Sequence, residues 1–228
     1  MKVLIACEES QRVCTAFREL GHEAYSCDII ECSGGHPEWH IQQDVLPLIN
    51  GYCNFNTADL KHHSIDSKWD LIIAHPPCTY LTNTGNRWFN VEKYGDKARE
   101  RIQLREEAIE FFMAFVNANC DHIAIENPVG VMSTRFRKPD QYIQPYMFGD
   151  PVEKKTCLWL KGLKTLDPTN IVTPPPRVSF NGGTTMDAWY AETGNLPHAE
   201  RAKARSKTFP GFAKAMADQW SKECSSDR

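Results

Sequence analysis

Apolar residues fall along this chain in short unbroken runs separated by amphipathic stretches, the pattern of buried parallel strands alternating with helices. Val3 to Cys7 is the first run. After Ser10, which can cap a helix, Val13, Phe17 and Leu20 recur at helical spacing until Gly21, a usual carboxyl-end stop. Glu23 to Ile29 is the next strand, so strand, helix and strand follow within one βαβ unit. Glu31 to Ile41, with Gly34, Gly35 and Pro37, is expected to be loop, and Asp44 to Ile49 a brief third element. Tyr52 to Ser67 is polar and predicts a surface hairpin or loop, and Trp69 to Ala74 a fourth strand. Thr79 to Lys97, rich in Asn, Gly and Thr, is expected to be a mobile loop over a site. Ala98 to Asn117 predicts a long helix burying Ile102, Ile109, Phe112, Phe115 and Val116 as plain core. His122 to Ile125 is a fifth strand. Gly130 to Asp140 is turn-like and basic, and Gln144 to Gly149 leads into a strand at Lys155 to Leu160. Leu163 to Pro197 holds Pro174-Pro175-Pro176 and Gly182-Gly183 and forms an excursion. A helix from Pro210 to Lys222 follows, and no internal repeat is found.

Two strand ends carry candidate chemistry. The run Leu71-Ile72-Ile73-Ala74 stops at His75-Pro76-Pro77-Cys78, where the prolines force a rigid turn at the edge where α/β sheets bind ligands. Alone, Pro77-Cys78 is more economically a structural cysteine in a proline turn. The second run ends at Glu126-Asn127-Pro128, and an unpaired carboxylate after Ile-Ala-Ile is costly unless it has work to do. Cysteine and glutamate at neighbouring strand ends make a nucleophile and acid pair of the kind that attack on a pyrimidine ring requires, with Asn127 orienting the carboxylate.

Composition narrows the classes. The 228 residues allow one substantial core, and no apolar stretch approaches the roughly 20 residues of a membrane span. With no secretion signal, a soluble cytoplasmic protein, host-cytoplasmic if phage-encoded, is expected, and the nine cysteines are expected to be reduced thiols. Cys27, Cys32, His36 and His40 place thiols and imidazoles at finger-like intervals. The spacing departs from a tight Cys-x2-Cys turn and Cys27 falls within a strand, so no metal site is expected. The net charge of −3 does not announce a nucleic-acid binder, but charge is unevenly placed. The basic group from Arg87 to Arg105 is interleaved with glutamates and reads as a solvated face. Arg201 to Lys207 is nearly unbalanced and is divided evenly between phosphate contact and solubility.

The end of the first strand, Cys7-Glu8-Glu9-Ser10, lacks the glycines of a phosphate cradle. Asp28, beside Ile29, can accept from ribose hydroxyls, and Asp44, beside Val45, can meet an exocyclic amine. A nucleoside cofactor without phosphates satisfies both, which points to S-adenosyl-L-methionine.

In their order these elements resemble the cytosine-C5 DNA methyltransferase family, particularly short members encoded by phages and prophages. The resemblance covers nearly the whole chain: Val3 to Ser10 as first motif, Asp28 as ribose ligand, Gln43-Asp44-Val45, Pro77-Cys78, Glu126-Asn127-Pro128, Lys154 to Leu160, and Arg205 to Trp220 as closing motif. It implies a Rossmann-like S-adenosylmethionine-dependent methyltransferase fold, a mostly parallel sheet with helices on both faces. It also implies a catalytic core at 1–162, a reduced recognition segment at 163–203 and a returning segment at 204–228. Cys78, Glu126, Asn127 and Pro77 would then be catalytic. Cys7, Glu8, Glu9, Ser10, Asp28, Ile29, Asp44, Val45 and Pro76 would hold the cofactor, and Lys154, Lys155, Arg205 and Lys207 would meet duplex DNA carrying the target cytosine. Three departures stand out: Cys7 to Ser10 replaces a Phe- and Gly-rich motif, Lys154-Lys155 replaces Gln-Arg-x-Arg, and the recognition segment is short. The last leaves low specificity, or a homodimer or helper protein that supplies it. Two alternatives stay open: a Cys/Glu enzyme acting on RNA or a nucleotide, and a non-catalytic decoy binding nucleic acid or cofactor.

Overall fold

In the computed structural model, which describes residues 1–180 and 183–226, seven strands form one central sheet. They are β1 (Lys2–Ala6), β2 (Glu23–Asp28), β3 (His40–Gln42), β6 (Leu71–Ala74), β7 (Ile123–Pro128), β8 (Gln141–Ile143) and β9 (Thr156–Lys161). Across the sheet the order is β3-β2-β1-β6-β7-β9-β8. The five from β3 to β7 are parallel, and β9 runs antiparallel to both its neighbours. The chain winds outward from β1 in one direction and then, from β6, in the other, so the strand order reverses between β1 and β6. In such sheets ligands bind in the crevice beyond the strand ends at that reversal. Cys7 follows β1 and Pro76-Pro77-Cys78 follows β6.

Alternate residues of each strand supply two apolar layers. Leu4, Ala6, Ile72, Ala74, Ile123 and Ile125 face α3 (Asp96–Val116), which buries Ile109, Phe112 and Phe115. Val3, Ile5, Leu71, Ile73 and Ala124 face α1 (Arg12–Glu19) and α7 (Pro210–Ser226). Each large side chain so buried contributes about 1.5–3 kcal/mol. In α7, Phe212, Met216 and Trp220 fill this layer while Ala213, Ala215 and Ala217 let the helix lie close. The Asp150 carboxylate accepts from the Gly211 N–H at 2.9 Å, and the Arg12 guanidinium donates to the Thr208 carbonyl at 2.7 Å, fixing α7 against α1. This is the Rossmann-like architecture expected from the sequence, a mostly parallel sheet with helices on both faces. No helix among the described residues is long and apolar enough to cross a membrane.

Several local expectations are corrected. The third sheet strand is His40–Gln42, inside the expected loop, and Leu46–Leu48 in the expected third element is a 3-10 turn. His40 occupies a core position because both ring nitrogens are engaged, by the Ser26 hydroxyl and the Ile30 carbonyl, each at 2.9 Å. Ser10 does not cap α1. Glu8 does, accepting from Val13 N–H at 2.7 Å and Cys14 N–H at 3.1 Å. Leu20 and Ile102, expected inside, are 42% and 39% exposed. The polar 52–67 stretch, by contrast, is the expected hairpin, antiparallel β4 (Cys53–Asn56) with β5 (His62–Ile65). Strand β7 runs on through Glu126 to Pro128, paired with β9, so the candidate carboxylate belongs to the sheet itself.

The segment expected to be a mobile loop after Cys78 contains a 3-10 turn at Asn83–Phe89 and the single-turn helix α2 (Val91–Tyr94). Two cations from the supposedly solvated face of α3 hold it. The Arg105 guanidinium donates to the Tyr80 carbonyl and the Asn86 side chain, each at 2.8 Å, and lies 3.4 Å from the Phe89 ring centre. Arg101 sits 4.9 Å from the Tyr80 ring centre. Beyond β7 comes a turn, α4 (Met132–Arg135). Beyond β9 the excursion contains a hairpin of two-residue strands, β10 (Val178–Ser179) with β11 (Thr185–Met186), then α5 (Ala188–Gly194), and α6 (His198–Ser206) follows it. Residues 181–182 of that excursion and 227–228 of the returning segment lie outside the described residues.

Candidate active site

The end of β1 makes its turn without glycine: Cys7 and Gln11 both adopt left-handed backbone, with φ of 59° and 58°. Such conformations cost of order 1–3 kcal/mol each in non-glycine residues and persist only where surroundings fix them. The fixing is visible at Gln11, whose buried side chain amide donates to the His36 carbonyl at 2.8 Å and accepts from the His36 N–H at 3.0 Å.

Next to this turn lies a cavity of about 370 Å³, within the range of small-molecule sites. Of the expected cofactor residues, Cys7, Asp28, Ile29, Asp44 and Val45 line it, and so does Pro77. Glu8, Glu9, Ser10 and Pro76 do not. Glu8 is occupied in capping α1, and the Pro76 carbonyl accepts from the Asn127 amide at 2.7 Å. Both carboxylate oxygens of Glu9 are buried without a hydrogen-bond partner. The rest of the wall comes from α3, through Leu104, Glu107, Ala108 and Phe111, and from Cys27, Gln43 and Tyr80. Sequence reasoning took that helix face for core alone. Leu104, Ala108 and Phe111 continue its apolar stripe by one turn, so the cavity left no separate signal.

The cavity's charge is informative. Asp28, Asp44 and Glu107 line it, and no lysine or arginine does among the described residues. Burial pushes the Cys7 thiol and the Asp28 carboxyl up from their ordinary values. A phosphate would meet three carboxylates here. A cationic nucleoside with a flat apolar ring suits both the acids and the Val45, Ala108 and Phe111 surface.

Outside the cavity lining, Glu126 acts on Cys78 through its charge. Its Oε2 is 3.1 Å from His75 Nδ1 and its Oε1 accepts from the Thr156 hydroxyl at 2.9 Å. The His75 and Glu126 side chains are 8% and 18% exposed. Burial alone would raise the Glu126 carboxyl. The hydrogen bond and charge of His75, with Lys154 and Thr156, outweigh it and hold the group below its ordinary value. Cys78 is half-buried, and burial followed by the Glu126 charge pushes its thiol up while Lys154 pulls it down. Cysteine, glutamate and lysine therefore share one electrostatic environment. A narrow cleft beside Glu126, about 20 Å³, is lined also by Lys154, Thr156, Lys207 and Phe209.

The four residues expected at DNA are differently placed. Lys154 donates to the Arg205 carbonyl at 2.7 Å, tying α6 to the site. Arg205 donates to the Tyr190 carbonyl at 2.7 Å and the Thr193 hydroxyl at 2.9 Å, and lies 4.8 Å from the Tyr190 ring centre. Lys155 is exposed over the Tyr142 ring, and Lys207 lines the cleft. Tyr190, from the excursion, was missed. Burial pushes its phenol up, Arg205 opposes, and the charges of Cys78 and Glu126 reach it. His75 and Thr156 were missed as well: the histidine stood in the candidate motif unassigned, and only the β7–β9 register brings Thr156 to Glu126.

The Cys78 turn is braced against β7. Leu81 and Thr82 N–H groups bond to the Cys78 carbonyl at 3.0 and 3.1 Å, and Val131 N–H bonds to the Leu81 carbonyl at 2.8 Å. Gly130 permits that approach, since a Cβ there would lie 2.0 Å from the Leu81 carbonyl oxygen. Gly130→Ala is expected to destabilise the protein by about 2–3 kcal/mol, a fall in Tm of roughly 4–12 °C in a thermal melt. An unchanged Tm would refute the bracing role.

No protein-family profile matches the chain, and no curated protein does. Among solved structures, an E. coli prophage protein provisionally described as a DNA modification methyltransferase aligns over 89% of this chain and 68% of its own. The TM-score is 0.44 and the identity 14%. A likeness that loose is silent on substrate and chemistry.

Proposed function

We propose that the protein is a cytosine-C5 DNA methyltransferase using S-adenosyl-L-methionine. The observation that carries this is the Pro77-Cys78 turn: Pro77 lines an acidic cavity that disfavours phosphate, and the next residue, Cys78, has a thiol that feels the charge of Glu126, a carboxylate held by His75 and Thr156. Asp28, Asp44 and Glu107 suit the ribose, amine and positive charge of the cofactor, with Val45, Ala108 and Phe111 against its ring. Bound there, S-adenosylmethionine supplies an electrophilic methyl group.

The chain's own residues do the rest. A cytosine extruded from the duplex enters between Cys78 and Glu126. Cys78 Sγ, as thiolate, bonds to C6 while Glu126 engages N3 and the amino group, making C5 nucleophilic. Lys154 favours the thiolate over the thiol. Transfer of the C5 proton to solvent then expels Cys78 as thiolate and restores the ring. Residues 163–203 form the reduced recognition segment between a core at 1–162 and a returning segment at 204–228. With a segment this short, either recognition beyond the target base is low or a second copy or a helper protein supplies it.

The test is duplex DNA containing 5-fluorocytosine, incubated with protein and S-adenosylmethionine. Fluorine cannot leave as a proton, so a denaturation-resistant adduct is expected. A second reading draws on the internal engagement of Lys154 and Arg205, which leaves fewer cations for phosphate: the same chemistry on an RNA or nucleotide pyrimidine. Adducts with those substrates and none with duplex DNA would favour it, and binding without any reaction would leave a decoy.

A further inference from the structure

His75 is hydrogen-bonded to one carboxylate, the part-buried Glu126, and feels the charge of a second, the buried Glu8. Its Nδ1 is 3.1 Å from Glu126 Oε2, and the charge of Glu8, the α1 cap, also acts across to it. Its Nε2 is buried without a hydrogen-bond partner. Nothing in the fold requires an ionisable ring here: β6 has ended at Ala74, and the His75 N–H continues the β1 pairing by bonding to the Ala6 carbonyl at 2.9 Å, as any residue would. The side chain therefore answers to Glu126 rather than to the sheet.

That matters because Glu126 lacks the proton the chemistry needs. One carboxylate oxygen faces the imidazole and the other accepts from Thr156, an arrangement that holds the anion. Addition of a thiolate to C6 drives the electron pair through C5–C4 onto N3, which must take a proton.

We propose that His75 is a positioning residue that supplies this proton through Glu126, the two side chains acting as one proton-holding unit; this rests on the reading of the site given above. The resting pair is imidazolium with carboxylate, neutral overall. As Cys78 Sγ bonds to C6, the proton between Nδ1 and Oε2 passes to the carboxylate and a carboxyl proton passes to N3. The pair is left as neutral imidazole with carboxylate, and the thiolate's charge is consumed in the C–S bond. When the C–S bond breaks, thiolate re-forms, N3 returns its proton to Glu126, and Nδ1 recovers it. No outside oxidant or reductant enters. The other ionisable groups facing the pair are Glu8 from the β1–α1 turn, Lys154 ahead of β9, Cys157 on β9, Cys78 beyond β6 and Tyr190 on α5.

The variant that separates proton supply from simple support is His75→Asn, whose amide can still donate to Glu126 but holds no transferable proton. Single-turnover adduct formation on the 5-fluorocytosine duplex, followed across pH, is the first readout. Titration of the Glu126 carboxyl by carbon-13 NMR, assigned with Glu126→Gln, is the second. In the wild type the rate is expected to fall at high pH as the pair loses its proton. His75→Asn is expected to react about 100-fold more slowly, to lose that falling limb, and to titrate Glu126 at higher pH. A wild-type protein that reacts while His75→Asn matches its rate and profile overturns the proposal and spares the reading of the site. A wild-type protein that forms no adduct with any pyrimidine overturns both.

Discussion

Cys78→Ser is expected to abolish the denaturation-resistant adduct and to lower methyl transfer by roughly 10³-fold or more, because a hydroxyl in the same turn cannot form the thiolate that adds to C6. The effect is chemical. Cys78 is half-buried, lies outside the two core layers and contributes its carbonyl to the turn, which serine preserves. Thermal stability and S-adenosylmethionine binding by calorimetry should therefore stay near wild type. Burial and the Glu126 charge raise the wild-type thiol, so only a small fraction is thiolate at neutral pH. On its rising limb the wild-type rate should climb about tenfold per pH unit. A serine variant that retains the adduct would remove Cys78 from the mechanism.

Glu126→Gln should slow adduct formation by roughly 10²–10⁴-fold and leave cofactor affinity within a few-fold of wild type, since the carboxylate lies outside the cavity lining. Equal loss of both would show its role misplaced. Stability carries a second signature. The folded Glu126 carboxyl titrates below its ordinary value, so the stability it contributes is present above about pH 4.3 and is lost as pH falls through the folded value. Denaturant midpoints measured down the acid range should fall less steeply for Glu126→Gln than for the wild type. Parallel curves would count against the His75 and Thr156 contacts as the source of the shift.

Much of this arrangement was legible in the chain. Val3 to Ala6, Leu71 to Ala74 and Ile123 to Ile125 are buried on both faces and so appear as continuous apolar runs, with Phe112 and Phe115 giving α3 its stripe. Pro76-Pro77 and Glu126-Asn127 broke those runs, which marked the two stretches of the candidate site. Most of the illegible parts have partners ten or more residues away in the chain, whereas Glu8 meets a helix start only five and six residues on. β3 is three residues long and holds a histidine inside only because Ser26 and Ile30 satisfy it. Arg101 and Arg105 look solvated beside their glutamates, yet they clamp the segment after Cys78. Glu8 could be taken for a ligand-binding acid until its carboxylate was found on the backbone of α1. Tyr190 arrives at the site from a proline-rich stretch with no periodicity to mark it.

The docking of α7 on α1 has a consequence for synthesis. Phe17 and the inner strands β1 and β6 are translated well over a hundred residues before the Met216 and Trp220 side chains that cover them. While the ribosome reads the intervening codons, that greasy layer stays wet, inviting chaperones and making the nascent polypeptide prone to clump until α7 emerges.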